Sequence, residues 1–177
     1  MAALADHDPT TRQEARRGLV SVGEEAVGPL ITALHDERTQ VRWEAAKALV
    51  DIANPRAGPA LVATLRDEDS GIRWVAAEAL IAMGPESFEP LLEGLIDHSG
   101  SSLMLGAAHH VLHELVGGRL NDLVLPVLAA LEGPAPEDRA PVVAYAALAT
   151  LRRDRVLTLL TRSSEKTLMD DDPHRGA

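Results

Sequence analysis

Residues 36–49 read DERTQVRWEAAKAL, and residues 67–80 read DEDSGIRWVAAEAL. The second stretch repeats the first in length, charge pattern and apolar positions. Internal repetition at such a period is the mark of a stacked-repeat architecture. Within the first copy, Val41, Ala45, Ala48, Leu49 and Ile52 form one apolar stripe. Their spacing follows the 3.6-residue turn of an amphipathic helix.

Working outward, the same register continues on both sides. Asp6, Asp36 and Asp67 recur at steps of 30 and 31 residues, as do Arg12, Arg42 and Arg73. Ala15, Ala45 and Ala76, then Leu19, Leu49 and Leu80, then Pro29, Pro59 and Pro90 keep that step. A second apolar segment lies between the copies: GPLITAL from Gly28, GPALVATL from Gly58 and EPLLEGL from Glu89. Each unit therefore reads as two helices. Asp8 and Asp69 stand where an N-cap carboxylate accepts from free backbone N–H groups, and Pro9 falls at the first helical position, where a missing N–H costs nothing.

The pattern loosens beyond the third unit. The fourth keeps Asp97 and the pair Ala107–Ala108, but Leu103 or Met104 stands where arginine is expected. An insertion around Gly117, Gly118 and Arg119 precedes Pro126. A fifth unit continues as RAPVVAYAALATL from Arg139, with a short last helix expected over 154–162. The expected fold is all-α, a solenoid of about five helix pairs over residues 1–162, with a disordered acidic tail over 163–177. Only MAALA precedes Asp6, so the first unit is expected to lack its opening helix, leaving an end open to self-association.

Composition agrees. The chain of 177 residues is 46% hydrophobic but only 2% aromatic, so its core must be Ala, Leu and Val, which suits close-packed helices better than sheets. There is no cysteine, and hence no disulfide or thiolate chemistry. No basic stretch leads into an apolar run at the N-terminus, and no segment approaches the ~18 apolar residues of a membrane span. A cytoplasmic protein is expected. Of the formal charge of −10, all but −2 belongs to the body before Ser163. That argues against duplex nucleic acid, where phosphate neutralisation supplies most of the affinity. Arg12, Arg16 and Arg17 form the densest basic cluster.

These units resemble HEAT repeats, in particular the short class found in phycobilisome lyase proteins. The motif is Asp, turn, Val-Arg, Ala-Ala, Ala-Leu, Gly, Pro-Leu, Leu, clear from Asp6 to Leu95 and looser to Leu160. The resemblance implies a right-handed stack whose second helices line the concave side. It also implies a structural ladder in which Asp6, Asp36 and Asp67 meet Arg12, Arg42 and Arg73 across neighbouring repeats, ending where the fourth unit lacks its arginine. It is unspecific for function: the family includes scaffolds, chromophore-attachment factors, a metal-dependent hydroxylase and a DNA glycosylase.

Two clusters stand out as candidate sites. With the apolar stripe turned inward, Trp43, Glu44, Lys47 and Asp51 face out, and the next repeat offers Trp74 and Glu78. Both tryptophans occupy one repeat position, so the rings would flank a groove on the concave face. Tryptophan is a frequent anchor of protein contacts. The competing reading is that each indole merely seals a repeat junction. The second cluster is HHVLHEL from His109, where His109 and His113 share a helix face at metal-ligand spacing. Aligning Ala107 with Ala76 turns His109 toward the concave side, beside Glu78. A third ligand is missing, and Trp43-Glu44 and Trp74-Val75 stand where the hydroxylases carry His-Glu pairs. No cofactor is therefore expected. The overall reading is a non-enzymatic module binding another protein or peptide through Trp43, Glu44, Lys47, Asp51, Trp74 and Glu78. The alternative is a bilin-lyase-like factor or a metal-dependent hydroxylase.

Overall fold

The computed structural model describes residues 2–118 and 120–170, with side-chain surroundings as far as Thr158. The described residues form helices and turns only. The first unit is a 3-10 turn, Ala2–Ala5, and α1 (Pro9–Val22). Three pairs follow: α2 (Glu24–Ala33) with α3 (Thr39–Ile52), α4 (Gly58–Thr64) with α5 (Ser70–Met83), and α6 (Phe88–Asp97) with α7 (Ser102–Glu114). The last is α8 (Asn121–Glu132) with α9 (Pro136–Asp170). The expected all-α solenoid of about five units is what is found. The opening unit has this 3-10 turn before α1, and its Leu4 is fully buried against the stack.

Helix starts follow the local chemistry. Asp8 accepts from the backbone N–H groups of Thr10 and Thr11 at 3.2 and 3.1 Å, and Asp69 accepts from Gly71 at 2.8 Å and Ile72 at 3.2 Å. Those bonds, Thr10 first, hold the Asp8 carboxyl below the usual carboxylate range. Pro9 opens α1 as expected, and Pro59 lies at the start of α4; other prolines sit deeper. Pro29, Pro126 and Pro141 lie inside their helices, because the helical backbone begins about a turn earlier.

The apolar stripe packs as its spacing requires. Ala45, Ala48, Leu49, Ile72, Ala76, Ala79 and Leu80 are fully buried. The second helices α1, α3, α5 and α7 stack in sequence, and α4 and α6 stack beside them. The α3–α5 seam is extensive and the α5–α7 seam much thinner.

The ladder is only partly as expected. Each repeat arginine donates through Nη1 to two carbonyls of its own turn: Arg12 to Asp6 and His7, Arg42 to Asp36 and Glu37, Arg73 to Asp67 and Glu68. Among the described residues only Arg42 also reaches the aspartate of the next repeat, donating from Nε and Nη2 to Asp67 at 2.8 and 3.1 Å. Both side chains are more than nine-tenths buried, and Asp67 raises the Arg42 pKa further. Asp36 is taken by Arg38 instead, which pulls its carboxyl far below the ordinary value. Arg73 has no carboxylate partner among the described residues. Asp97 is exposed at the end of α6, and counting from Pro59 and Pro90, His98 stands where Asp67 stood. The ladder thus ends one residue type earlier than the missing arginine implied.

The last unit departs from simple stacking. Residues 139–151 and 154–162, expected as two elements, belong to the single helix α9. It packs against α6 as well as α8, instead of continuing the row of second helices. Ala140, Ala144, Ala147 and Leu148 supply its buried face. Arg152 bonds Glu89 at 2.9 Å and also reaches Glu93, and Arg155 reaches Glu89 at 2.8 Å. Arg152 is the main cause that holds the Glu89 carboxyl below its ordinary value. Of the expected tail, 163–170 have helical backbone, and 171–177 lie outside the described residues. No helix of the described residues is long and apolar enough to cross a membrane.

Candidate functional site

Between α3 and α5 lies an open groove of about 500 Å³, lined by Arg16, Trp43, Lys47, Val50, Asp51, Trp74, Val75 and Glu78. Five of the six residues singled out from the sequence meet there. Two cationic and two anionic side chains share the rim, and the ammonium of Lys47 lies 5.5 Å from the centre of the Trp43 ring.

Glu44 is the exception and is a correction. Its side chain is only 9% exposed, because Arg16 lies across it at 2.5 Å and Arg12 at 3.7 Å. It sits one position after Trp43, on the flank of α3 that meets α1. The same contacts engage two of the three arginines of the expected basic cluster with one carboxylate. Arg16, which also borders the groove, was missed as a groove residue; its place one α1 turn beyond Arg12 was the available signal.

The two tryptophans, equivalent in sequence, are not equivalent in space. Trp43 is half-buried and lies on the first turn of α5: a Cβ on Gly71 would come within 2.6 Å of its ring. It seals the seam. Trp74 is 57% exposed. Counting from the helix starts Ser70 and Ser102, Leu103 stands beneath Trp74 where Gly71 stands beneath Trp43. A leucine at that spot denies the ring its bed. Trp74 instead stacks on His110, with ring centres 5.0 Å apart and planes 22° from parallel.

The same count corrects the histidine reading. His110, not His109, takes the place of Glu78, because α7 starts 32 residues after α5 whereas α5 starts 31 residues after α3. His110 Nε2 lies 3.8 Å from Glu78 Oε1 and has no hydrogen-bond partner. His109 points instead to α8, where its Nε2 is 3.1 Å from Glu132 Oε1. The rings of His109 and His113 are 6.2 Å apart, and among the described residues no group of three or more His, Cys, Asp or Glu is arranged to hold a metal ion.

Beyond Trp74, the thin α5–α7 seam opens into a second cavity of about 310 Å³. Arg73, Trp74, Leu103, Gly106 and His110 border it. Gly106 occupies the register of the two tryptophans, and nothing lies within 4 Å of where its Cβ would be.

Known proteins agree with this architecture. The family model for HEAT repeats matches residues 1–81 and 27–113, and the chain belongs to that family. Comparison with curated protein sequences returns no match. Among solved structures, the chain is similar to one in the complex of CpcE and CpcF of phycocyanin lyase from Nostoc sp. PCC7120, with 25% identity and a TM-score of 0.52, covering 80% of this chain and 94% of that one. The likeness to a HEAT-repeat lyase subunit agrees with the motif resemblance.

Proposed function

We propose that this chain is a non-enzymatic protein-binding module whose concave face docks a segment of a partner protein. The observation that carries the reading is the groove between Trp43 and Trp74. An indole left more than half exposed beside a preformed groove is a surface suited to an apolar anchor. Lys47, Arg16, Asp51 and Glu78, which share the groove, would select a partner of mixed charge. Glu44 drops out of this surface. The similar solved chain is itself found in a complex of two proteins, which supports a protein partner. Affinity capture under native conditions tests the reading. Wild-type protein should retain a specific partner that Trp74→Ala and Lys47→Glu lose while keeping the wild-type helical spectrum. Equal recovery by both variants would remove the groove from the account.

A second reading rests on the likeness to a phycocyanin lyase component. A chromophore-attachment factor would use the same groove for a tetrapyrrole, with Arg16 and Lys47 facing its carboxylates. Titration with a linear tetrapyrrole decides between the readings. Saturable red-shifted absorbance, lost in Lys47→Glu, supports this one, and an unchanged spectrum counts against it.

A further inference from the structure

We infer that the cavity at the α5–α7 seam is a binding site for a small apolar carboxylate, with Arg73 as its anion anchor and Trp74 as its wall. The template is inside the molecule. One repeat earlier, Arg42 uses Nη1 on two carbonyls of its own turn and presents Nε and Nη2 to the Asp67 carboxylate. Arg73 makes the same two carbonyl bonds, at 2.7 and 3.1 Å, and so is held in a comparable attitude. Its Nε and Nη2 have no partner among the described residues. No carboxylate among the described residues completes the rung: Asp97, the aspartate of the next unit, is exposed at the end of α6. A guanidinium presents a planar fork that matches a carboxylate with two parallel bonds, and leaving it unmatched at a half-buried site forgoes that energy.

The space beside the fork is suited to a ligand body. The cavity holds on the order of ten water-sized groups. Its lining is mostly apolar: Leu65, Ala77, Leu103 and Ala107 join the face of Trp74. No aspartate or glutamate lines it, although acidic residues outnumber basic ones by 27 to 17 in the chain. The first residues of α5 and α7, Ser70 and Ser102, both border it; the α5 end is already capped by the Asp69 carboxylate and the α7 end by the Ser101 hydroxyl, so the anion contact falls to Arg73. The absence of a side chain at Gly106 keeps it open. This site lies on the other side of Trp74 from the α3–α5 groove, and it stands or falls independently of the proposed partner surface.

The test uses the full chain carrying Trp43→Phe, so that Trp74 alone reports by fluorescence. The probes are 4-phenylbutyrate, its uncharged carboxamide and inorganic phosphate. The expected result is saturable quenching by the carboxylate, with the carboxamide and phosphate each about tenfold or more weaker, as a charge-assisted fork contact and an apolar contact respectively require. Arg73→Gln should abolish the preference for acid over amide while keeping the helical spectrum and a cooperative melt lowered by only about 2–6 °C, and Arg73→Lys should restore part of it. Asp67→Asn, which alters the template rung but not Arg73's fork, should leave the preference intact. The proposal is overturned by no saturable binding of the carboxylate at millimolar concentration, by equal affinity for acid and amide, or by an Arg73→Gln protein that binds as wild type. Quenching by phosphate as strong as by the carboxylate would also overturn it, because it would make the site a general anion contact.

Discussion

Replacing each tryptophan by alanine should separate two side chains that the sequence makes equivalent. Truncating a fully buried tryptophan costs about 3–5 kcal/mol. Trp43 is half-buried, pressed on Gly71 and covered on its outer side by Lys47, so Trp43→Ala should cost about half of that, roughly 2 kcal/mol. Trp74 is 57% exposed and its one ring contact is His110. Its loss should cost no more than about 1 kcal/mol, the upper end of an aromatic stacking pair. For a domain of this size, each kcal/mol moves Tm by about 2–4 °C. Trp43→Ala should therefore lower Tm by about 4–8 °C, and Trp74→Ala by no more than about 4 °C. Thermal melts followed by far-ultraviolet circular dichroism, with urea midpoints as a check, would measure both. An equal loss, or a larger one for Trp74→Ala, would refute the assignment of Trp43 as the seal and Trp74 as the open face.

Other consequences follow from the same contacts. Leu103→Gly, in a Trp43→Phe background, should give Trp74 the bed that Gly71 gives Trp43; its emission should shift to the blue and acrylamide quenching should fall, and an unchanged spectrum would reject the Gly71–Leu103 explanation. Arg42→Gln strips a buried carboxylate of its partner and should cost about 3–5 kcal/mol, whereas Arg73→Gln removes only bonds to carbonyls and should cost about 1–1.5 kcal/mol, as urea midpoints would report. The depressed carboxyls of Asp8, Asp36 and Glu89 contribute stability that is present above their unfolded pKa values, near 4, and is lost as pH falls through the lower folded values. The urea midpoint should hold from pH 7 to about 5 and drop below about 4. Glu89→Gln should start lower, lose less on acidification and speed amide exchange in α9; an unchanged exchange rate there would show that Arg152 and Arg155 do not pin α9 to α6.

Much of this architecture was legible because it is written several times over. The stripe of Val41, Ala45, Ala48 and Leu49 and its copies impose helical period and burial without reference to anything distant. The N-caps Asp8 and Asp69 were readable for the same reason: a cap is a local event. What escaped reading depended on one-residue changes of register or on contacts between units. The one-residue-longer step from α5 to α7 moved His110, not His109, into the place of Glu78, and one added residue between helices leaves no mark on their periodicity. Glu44 looked exposed from its own helix, and only the packing of α1 on α3 brings Arg12 and Arg16 over it. The return of α9 to α6 joins Ala140, Ala144, Ala147 and Leu148, and the pairs of Arg152 and Arg155 with Glu89 and Glu93, to a helix far away in sequence. The divergence of the tryptophans had a signal, Gly71 against Leu103, but it lies in the following repeat rather than beside either ring.

The groove itself is tested most directly by photo-cross-linking in the cell that makes the protein, with p-benzoylphenylalanine placed in turn at Lys47, at Asp51 and, as an exposed control away from the groove, at Glu137. The groove positions should yield the same discrete cross-linked polypeptide, lost when Trp74→Ala is added, and the control position should not. Cross-links of equal yield from Glu137, or groove cross-links indifferent to Trp74, would contradict the claim that a partner protein docks between Trp43 and Trp74.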